Sequence, residues 1–318
     1  MRKQNAVRNK IAAGLALAAV MLAISATSVK AAGNVAVNAK NFPDNAFRTY
    51  VSKLDTDGNG VLSRQEIAET AIIKVKNLGI TDLTGIQHFT NLKRLYCGSN
   101  ELAKLDVSKN TKLKYLDCAS NSLAKLDVSK NTKLEYLDCG SNKLAKLDVG
   151  KNTRLDHLDC SFNKLAKLDV SRNTKLILLF CGTNKLTKLD VNKNTKLKYL
   201  DCSSNKLAKL DVSRNLELQH LACNSNKLAK LDVSKNTRLL HLFCGFNELT
   251  KLDVGSNTEL DMLGCSTNML TKLDVSKNTK LRLLSCESNE LTKLDVSKNA
   301  ILQDLFCDPD VEVIGYRQ

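Results

Sequence analysis

Residues Leu134 to Arg154 read LEYLDCGSNKLAKLDVGKNTR, and these 21 residues are the unit from which most of the chain is built. The pattern runs from Leu92 without insertion or deletion, and cysteines mark its period: Cys97, Cys118, Cys139, Cys160, Cys181, Cys202, Cys223, Cys244, Cys265, Cys286 and Cys307. Those are all the cysteines in the chain. A short fixed period marks a solenoid, in which each unit buries its apolar face only against its neighbours. Ten complete units start at Leu92, and an eleventh begins at Leu302 and then degenerates.

Counting Leu92 as position 1, the unit is L-x-x-L-x-C-x-x-N-x-L-x-x-L-D-V-S-x-N-x-x. This resembles the leucine-rich repeat family, whose core motif is L-x-x-L-x-L-x-x-N/C-x-L. Leu134, Leu137, Cys139, Asn142 and Leu144 match it position by position. The rival architecture for so short a period is a parallel β-helix. The resemblance implies an α/β solenoid: a leucine-rich repeat horseshoe with a parallel β-sheet on its concave face and a small helical cap at its N-terminal end.

Leu, Leu, Cys and Leu at positions 1, 4, 6 and 11, with Leu and Val at 14 and 16, are the expected core. Asn100, Asn121, Asn142 and their successors at position 9 should turn inward and bond to backbone groups of adjacent turns. The second column, Asn110, Asn131 and onward, should do the same at the opposite turn. Each cysteine takes the place of a core leucine and so reads as a small hydrophobe. Stacked about 4.8 Å apart and pointing the same way, such thiols do not offer the crossed geometry of a disulfide.

Residues 1–31 have a basic start, an uncharged stretch from Ile11 to Val29, and Val29-Lys30-Ala31 as a small-residue cleavage site before Ala32. This is the pattern of a secretory signal peptide, with an uncleaved anchor as the alternative. The expected location is therefore extracellular, either released or associated with the cell surface, and the protein is not integral to a membrane after cleavage. Formal charge is +15. Removing the leader's five basic residues leaves 43 basic against 33 acidic, a net of +10.

Ahead of the repeats, Phe47, Tyr50, Val51 and Leu54 follow helical spacing after Pro43, which suits the first turn of a helix. Asp55 to Glu66, DTDGNGVLSRQE, then matches the EF-hand loop pattern. Asp55, Asp57 and Asn59 stand at loop positions 1, 3 and 5, and Gly60 at 6, where the chain must turn sharply. Val61 would offer its carbonyl, Ser63 would act through a water, and Glu66 would chelate with both oxygens. The expected cofactor is a structural Ca2+. Ser63 and Glu66 also form a capping box for a following helix, with Ile67, Ala71, Ile72 and Val75 on one face. The loop is similar to half of a dockerin, which implies calcium-dependent docking as an alternative role.

Leu78 to Asn91 reads as a degenerate first unit. Leu83, Ile86, Phe89 and Leu92 resemble the opening repeats of internalin-type proteins, where a calcium-hand-like helical cap covers the exposed end. At the far end Asp308, Pro309 and Asp310 break the pattern and should blunt the last edge. The expected division is thus 1–31 leader, 32–91 cap and degenerate unit, 92–307 repeats, 308–318 C-terminal end.

Lysine recurs at position 13 (Lys104 through Lys293) beside aspartate at position 15 (Asp106 through Asp295), and the two should face outward as complementary ladders. Surface pairs of this kind contribute about 0–1 kcal/mol each. Strand positions 3 and 5 should face the concave side. They carry Tyr96, Tyr115, Tyr136, His157, Phe180, Tyr199, His220, His241, Phe243 and Phe306, with Asp117, Asp138, Asp159 and Asp201 between. Aromatic columns beside acids read as a recognition surface for a protein or glycan partner. No nucleophile elbow, phosphate loop or zinc-protease motif is present, so a non-enzymatic role is expected. Nucleic acid is a poor fit, because the basic face lacks aromatics. The internalin resemblance implies an adhesin-like role. The alternative is an envelope protein held to anionic polymer by its lysines. Departures from that family are a slightly shorter repeat, cysteine in the core and no surface-attachment signal.

Overall fold

A computed structural model describes residues 33–316. The leader read at 1–31, with its cleavage site, lies outside the described residues. Parallel strands stack in register into a 12-stranded sheet: Ile72–Lys74, Arg94–Tyr96, Tyr115–Asp117, Tyr136–Asp138, His157–Asp159, Leu178–Phe180, Tyr199–Asp201, His220–Ala222, His241–Phe243, Met262–Gly264, Leu283–Ser285 and Asp304–Phe306. From Arg94 onward each strand pairs with the one 21 residues away, Tyr115 with Tyr136 and Leu116 with Leu137. A repeat without insertions therefore places every column of the sequence directly over itself. The architecture is a leucine-rich repeat solenoid.

The core is one continuous column. Position 4 leucines such as Leu116 and Leu137 are fully buried, and so are the cysteines from Cys97 through Cys286. The eleven thiols are unpaired; only Cys307, in the last turn, is partly exposed. Burial pushes the thiol pKa values up, which keeps them protonated and inert.

Position 9 asparagines tie successive turns together. Asn142 Nδ2 donates to the carbonyls of Cys118, Cys139 and Gly140, and its Oδ1 accepts from Leu123 N at 2.9 Å. The second column behaves differently. Asn152 Nδ2 donates to Val128 O and Asn131 O, but its Oδ1 is buried and receives no N–H, as in every member of that column from Asn110 to Asn299. These asparagines staple the turns through their donors alone.

Position 8 adopts a left-handed backbone in each unit, from Ser99 at φ 55° to Ser288 at 54°. Phe162 and Phe246 are forced into it at φ 52° and 55°, a costly conformation for a bulky side chain. The ladder holds them there, through Phe162 N to Gly182 O and Phe246 N to Ser266 O.

The outer and N-terminal sides depart from what the spacing suggests. The position 15 aspartates do not pair with the position 13 lysines. Asp106 Oδ1 accepts from Ser108 N and Asp169 Oδ1 from Ser171 N, closing a turn and lowering the carboxyl pKa. Among the described residues no ion pair joins the two columns. In-register stacking instead sets like over like, and pairs form where a column changes sign: Lys114 with Glu135, Arg238 with Glu217, Lys280 with Glu259.

The second correction concerns Ala71, Ile72 and Val75, which are not on a helix. The helix after the acidic loop ends at Glu69. Ile72–Lys74 is the first strand of the sheet, with Ile72 and Lys74 exposed and Ile73 buried between them. It pairs Ile73 with Leu95, an offset of 22, so the opening turn is one residue longer than the rest. Hydrogen bonding to the Arg94–Tyr96 strand decides this, and helix spacing in so short a segment cannot. Likewise Pro43 precedes the first helix instead of entering it: Asp44 is the N-cap of Asn45–Val51, accepting from Phe47 N.

The N-terminal unit covers the open end of the stack. Phe42, Phe47, Val51, Leu62 and Ile67 are buried in one cluster with Ile73, Val75 and Phe89 of the opening turn. Asp44 Oδ2 accepts from Thr81 N at 2.9 Å, and Tyr50 Oη accepts from Lys74 N at 3.1 Å, both across the junction. At the other end Asp308 takes the N–H groups of Ser288 and Asn289, and Lys293–Asp295 pairs with Glu312–Ile314. The edge is capped by hydrogen bonds as well as by charge.

Candidate functional site: a concave aromatic ribbon and an acidic loop

Strand alternation buries position 4 and leaves positions 3 and 5 half-buried on the concave face. Because the columns stack in register, the rings placed there meet. Tyr96 and Tyr115 have centroids 4.7 Å apart, Tyr115 and Tyr136 4.0 Å with planes at 7°, and Tyr136 and His157 4.2 Å. Leu178 interrupts the position 3 column, but Phe180 at position 5 leans across the gap. Its ring lies 5.6 Å from His157 and 4.9 Å from Tyr199. Tyr199 then stacks on His220 at 5.0 Å, His220 meets His241 edge-on at 4.5 Å, and His241 reaches Phe243 at 6.3 Å. Nine rings from Tyr96 to Phe243 thus form one ribbon, and every concave aromatic singled out in that span is in it. Phe306 stands apart at the last strand, 48% exposed.

Carboxylates run beside the rings. Asp117 is nearly buried, with Lys76 Nζ at 3.6 Å. Asp138 accepts from Gly140 N. Burial first, then the neighbouring Asp159 and Asp117, raise its pKa to about 6. Asp159 accepts from Ser161 N and Oγ, and Asp201 from Ser203 N. Burial raises the Tyr115 and Tyr136 hydroxyl pKa values, so both stay neutral donors. Burial lowers those of His157 and His220. Tyr115 and Tyr136 thus present neutral hydroxyls beside an acidic flank.

Stacking has a consequence for what the ribbon can bind. Rings lying face to face cover one another's π-faces, so solvent meets their edges and hydroxyls. Ring edges carry the positive side of the quadrupole and suit carbonyls, thioethers and other edge contacts. A flat ring face, as a platform for an apolar ligand face, is not what Tyr115 and Tyr136 present.

The second site is the loop between the two N-terminal helices. Val61–Leu62 within it pairs antiparallel with Val35–Ala36, which fixes the loop against the preceding chain. Gly58 and Gly60 adopt φ of +67° and +79°, the turn the loop requires. Asp55, Asp57 and Glu66 each bring a carboxylate oxygen into one group, all within 4.8 Å of one another. Two oxygens each about 2.4 Å from one calcium ion are at most about 4.8 Å apart, so the three fit a shared ion. Glu66 Oε1 accepts from Thr56 N and Oγ1, and Oε2 from Ser63 N and Oγ. Those bonds hold its pKa at about 2. Asn59 Oδ1 accepts from Val61 N. Ser63 is the N-cap of the Arg64–Glu69 helix, with both halves of the capping box formed.

Asp261 and Arg282 carry no signal in the sequence as site residues, because position 2 is an edge column of mixed composition. The stack places Asp261 against both His241 and Arg282. Among the described residues no helix is long and apolar enough to cross a membrane.

No family model matches the chain. The structure is similar to the functional domain of InlJ from Listeria monocytogenes, described as including a cysteine ladder, with a TM-score of 0.83 and 42% identity. That likeness covers 90% of this chain and 63% of the other, so the chain spans less than two thirds of it. Internalin J of Listeria monocytogenes serotype 4b (strain F2365) is 42% identical over 71 residues, 22% of this chain and 8% of that protein. InlF, an internalin from Listeria monocytogenes, shares the fold with a TM-score of 0.69 and 18% identity, over 89% of this chain and 98% of that one.

Proposed function

We propose that this internalin-like leucine-rich repeat protein is a secreted, non-enzymatic, adhesin-like binding protein that holds a protein partner on its concave ribbon. The observation that carries this reading is the unbroken contact of nine rings from Tyr96 to Phe243, beside Asp117, Asp138, Asp159 and Asp201. Ordered, half-buried aromatics supply binding area at little entropic cost, and the acids select a partner carrying lysine or arginine. A protein segment suits the ribbon better than a sugar, since the stacked ring faces are already occupied. Ca2+ in the Asp55–Glu66 loop has a structural part in this reading. It would be held by Asp55, Asp57, Asn59, the Val61 carbonyl, Glu66 and, through water, Ser63, and it would neutralise the carboxylates of the cap.

A second reading has its own observation. The position 13 lysines from Lys104 to Lys272 stand in a column without ion-pair partners among the described residues, which suits a cell-envelope polyanion.

The chain from Ala32 onward, incubated with mucin, extracellular-matrix and bacterial envelope fractions at low and high salt, separates the two. Salt-resistant capture that survives deglycosylation of the target and is lost in Tyr199→Ala and Phe243→Ala supports the concave protein site. Capture that falls steeply with salt and ignores both substitutions would replace it with envelope attachment.

A further inference from the structure

One pair on the concave face has the geometry of a chelate. His220 and His241 occupy the same register on adjacent strands, and one Nδ1–H donates to the other Nδ1 at 3.0 Å, a proton that a shared ion would displace. Two nitrogens each 2.0–2.1 Å from one ion lie about 2.9 Å apart at a right angle and about 3.3–3.4 Å apart at the tetrahedral angle. The observed separation matches the right angle.

The outer partners are also in place. His241 Nε2 lies 3.5 Å from Asp261 Oδ2, and Arg282 Nε and Nη2 hold that carboxylate at 2.5 and 2.6 Å. A carboxylate near the far ring nitrogen favours the proton at Nε2, the tautomer that leaves Nδ1 free to ligate. Tyr199 stacks on the His220 side and Phe243 stands beside His241, walls that limit ring rotation. The competing thiols lie buried in the core, except Cys307 in the last turn.

We propose that His220 and His241 form a two-nitrogen site for a divalent transition-metal ion favouring right-angled coordination, Cu2+ or Ni2+, oriented by Asp261 and Arg282. The ion's remaining positions would face the concave solvent. This site does not depend on the partner proposed above, because the metal alone is its probe.

Cu2+ is titrated into the full-length chain and followed by electron paramagnetic resonance and calorimetry. The expected result is one equivalent with hyperfine coupling to two imidazole nitrogens. It should be lost in His220→Gln and in His241→Gln and kept in His157→Gln. In Asp261→Asn, affinity should fall about 10–100-fold. Circular dichroism verifies that each variant retains its stack. Unchanged Cu2+ binding and spectrum in both histidine variants would overturn the site, as would an Asp261→Asn affinity equal to that of the parent. Zn2+ binding tighter than Ni2+ would overturn the right-angled assignment.

Discussion

Asn142→Ala and Asn152→Ala delete the same atoms from the two asparagine columns within one unit, yet the hydrogen bonds give them different costs. After Asn142→Ala the carbonyls it served keep other donors: Asn121 Nδ2 for Cys118, Asn163 Nδ2 for Cys139 and Ser120 N for Gly140. Leu123 N–H does not, because Asn142 Oδ1 is its acceptor. A buried N–H left without a partner costs about 1–3 kcal/mol. After Asn152→Ala, Val128 O and Asn131 O keep the N–H groups of Asn131 and Leu134, and an unsatisfied buried Oδ1 disappears along with the two lost bonds. Each substitution removes the same side-chain atoms, so the packing loss is similar in the two variants. Asn142→Ala should therefore be less stable than Asn152→Ala by about 1–3 kcal/mol. Urea unfolding at equilibrium reads this as a difference in midpoint at equal slope, the slope guarding against local opening of a few turns. Equal losses, or a larger loss for Asn152→Ala, would refute the idea that the first column holds the turns by accepting as well as donating.

Calcium at 10 mM should stabilise the cap by about 1.4–2.7 kcal/mol if its Kd lies in the 10⁻⁴–10⁻³ M range of extracellular modules. Scanning calorimetry with calcium and with chelator tests this, and Asp55→Ala should abolish the shift; coincident curves for the parent chain would remove the metal from the loop. Asp138→Asn addresses the raised carboxyl on the ribbon. Its pKa of about 6 against 3.8 in the unfolded chain means that the unfolded form loses this proton first as pH rises. The wild type thus loses stability between pH 4 and 6, and Asp138→Asn should melt higher at pH 7, with the gain vanishing near pH 4; a gain independent of pH would argue against it. Thiol reagents should modify Cys307 first in the folded chain and all eleven cysteines in denaturant, so fast reaction of several thiols without denaturant would contradict the buried column.

The repeat is legible because its causes are local and recur. Leu134, Leu137, Cys139 and Leu144 fall on the core at fixed offsets, and Asn142 recurs where a turn needs a side chain that both donates and accepts. The acidic loop is legible for the same reason, since Asp55, Asp57, Gly60 and Glu66 serve one turn of twelve residues. The period also implies that columns stack, and from that the concave exposure of Tyr115 and Tyr199 follows.

What the sequence alone could not decide is which of several available partners a side chain or strand takes, and most of those partners lie on the neighbouring turn. Ile72–Lys74 is compatible with helix or strand on its own residues, and the neighbouring Arg94–Tyr96 strand makes it a strand. Asp106 next to Lys104 invites an ion pair, but the closer Ser108 N–H claims the carboxylate and leaves the lysine free. Phe180 is legible as a concave ring, but only the stack brings it between His157 and Tyr199, across the space left by Leu178. His220 and His241 stand one unit apart in the sequence, but Asp261 and Arg282 join them only when parallel register sets adjacent turns a few ångströms apart. The sequence by itself determined the turn and its columns, because those follow from local spacing; which side chains meet from turn to turn was decided by the stacking.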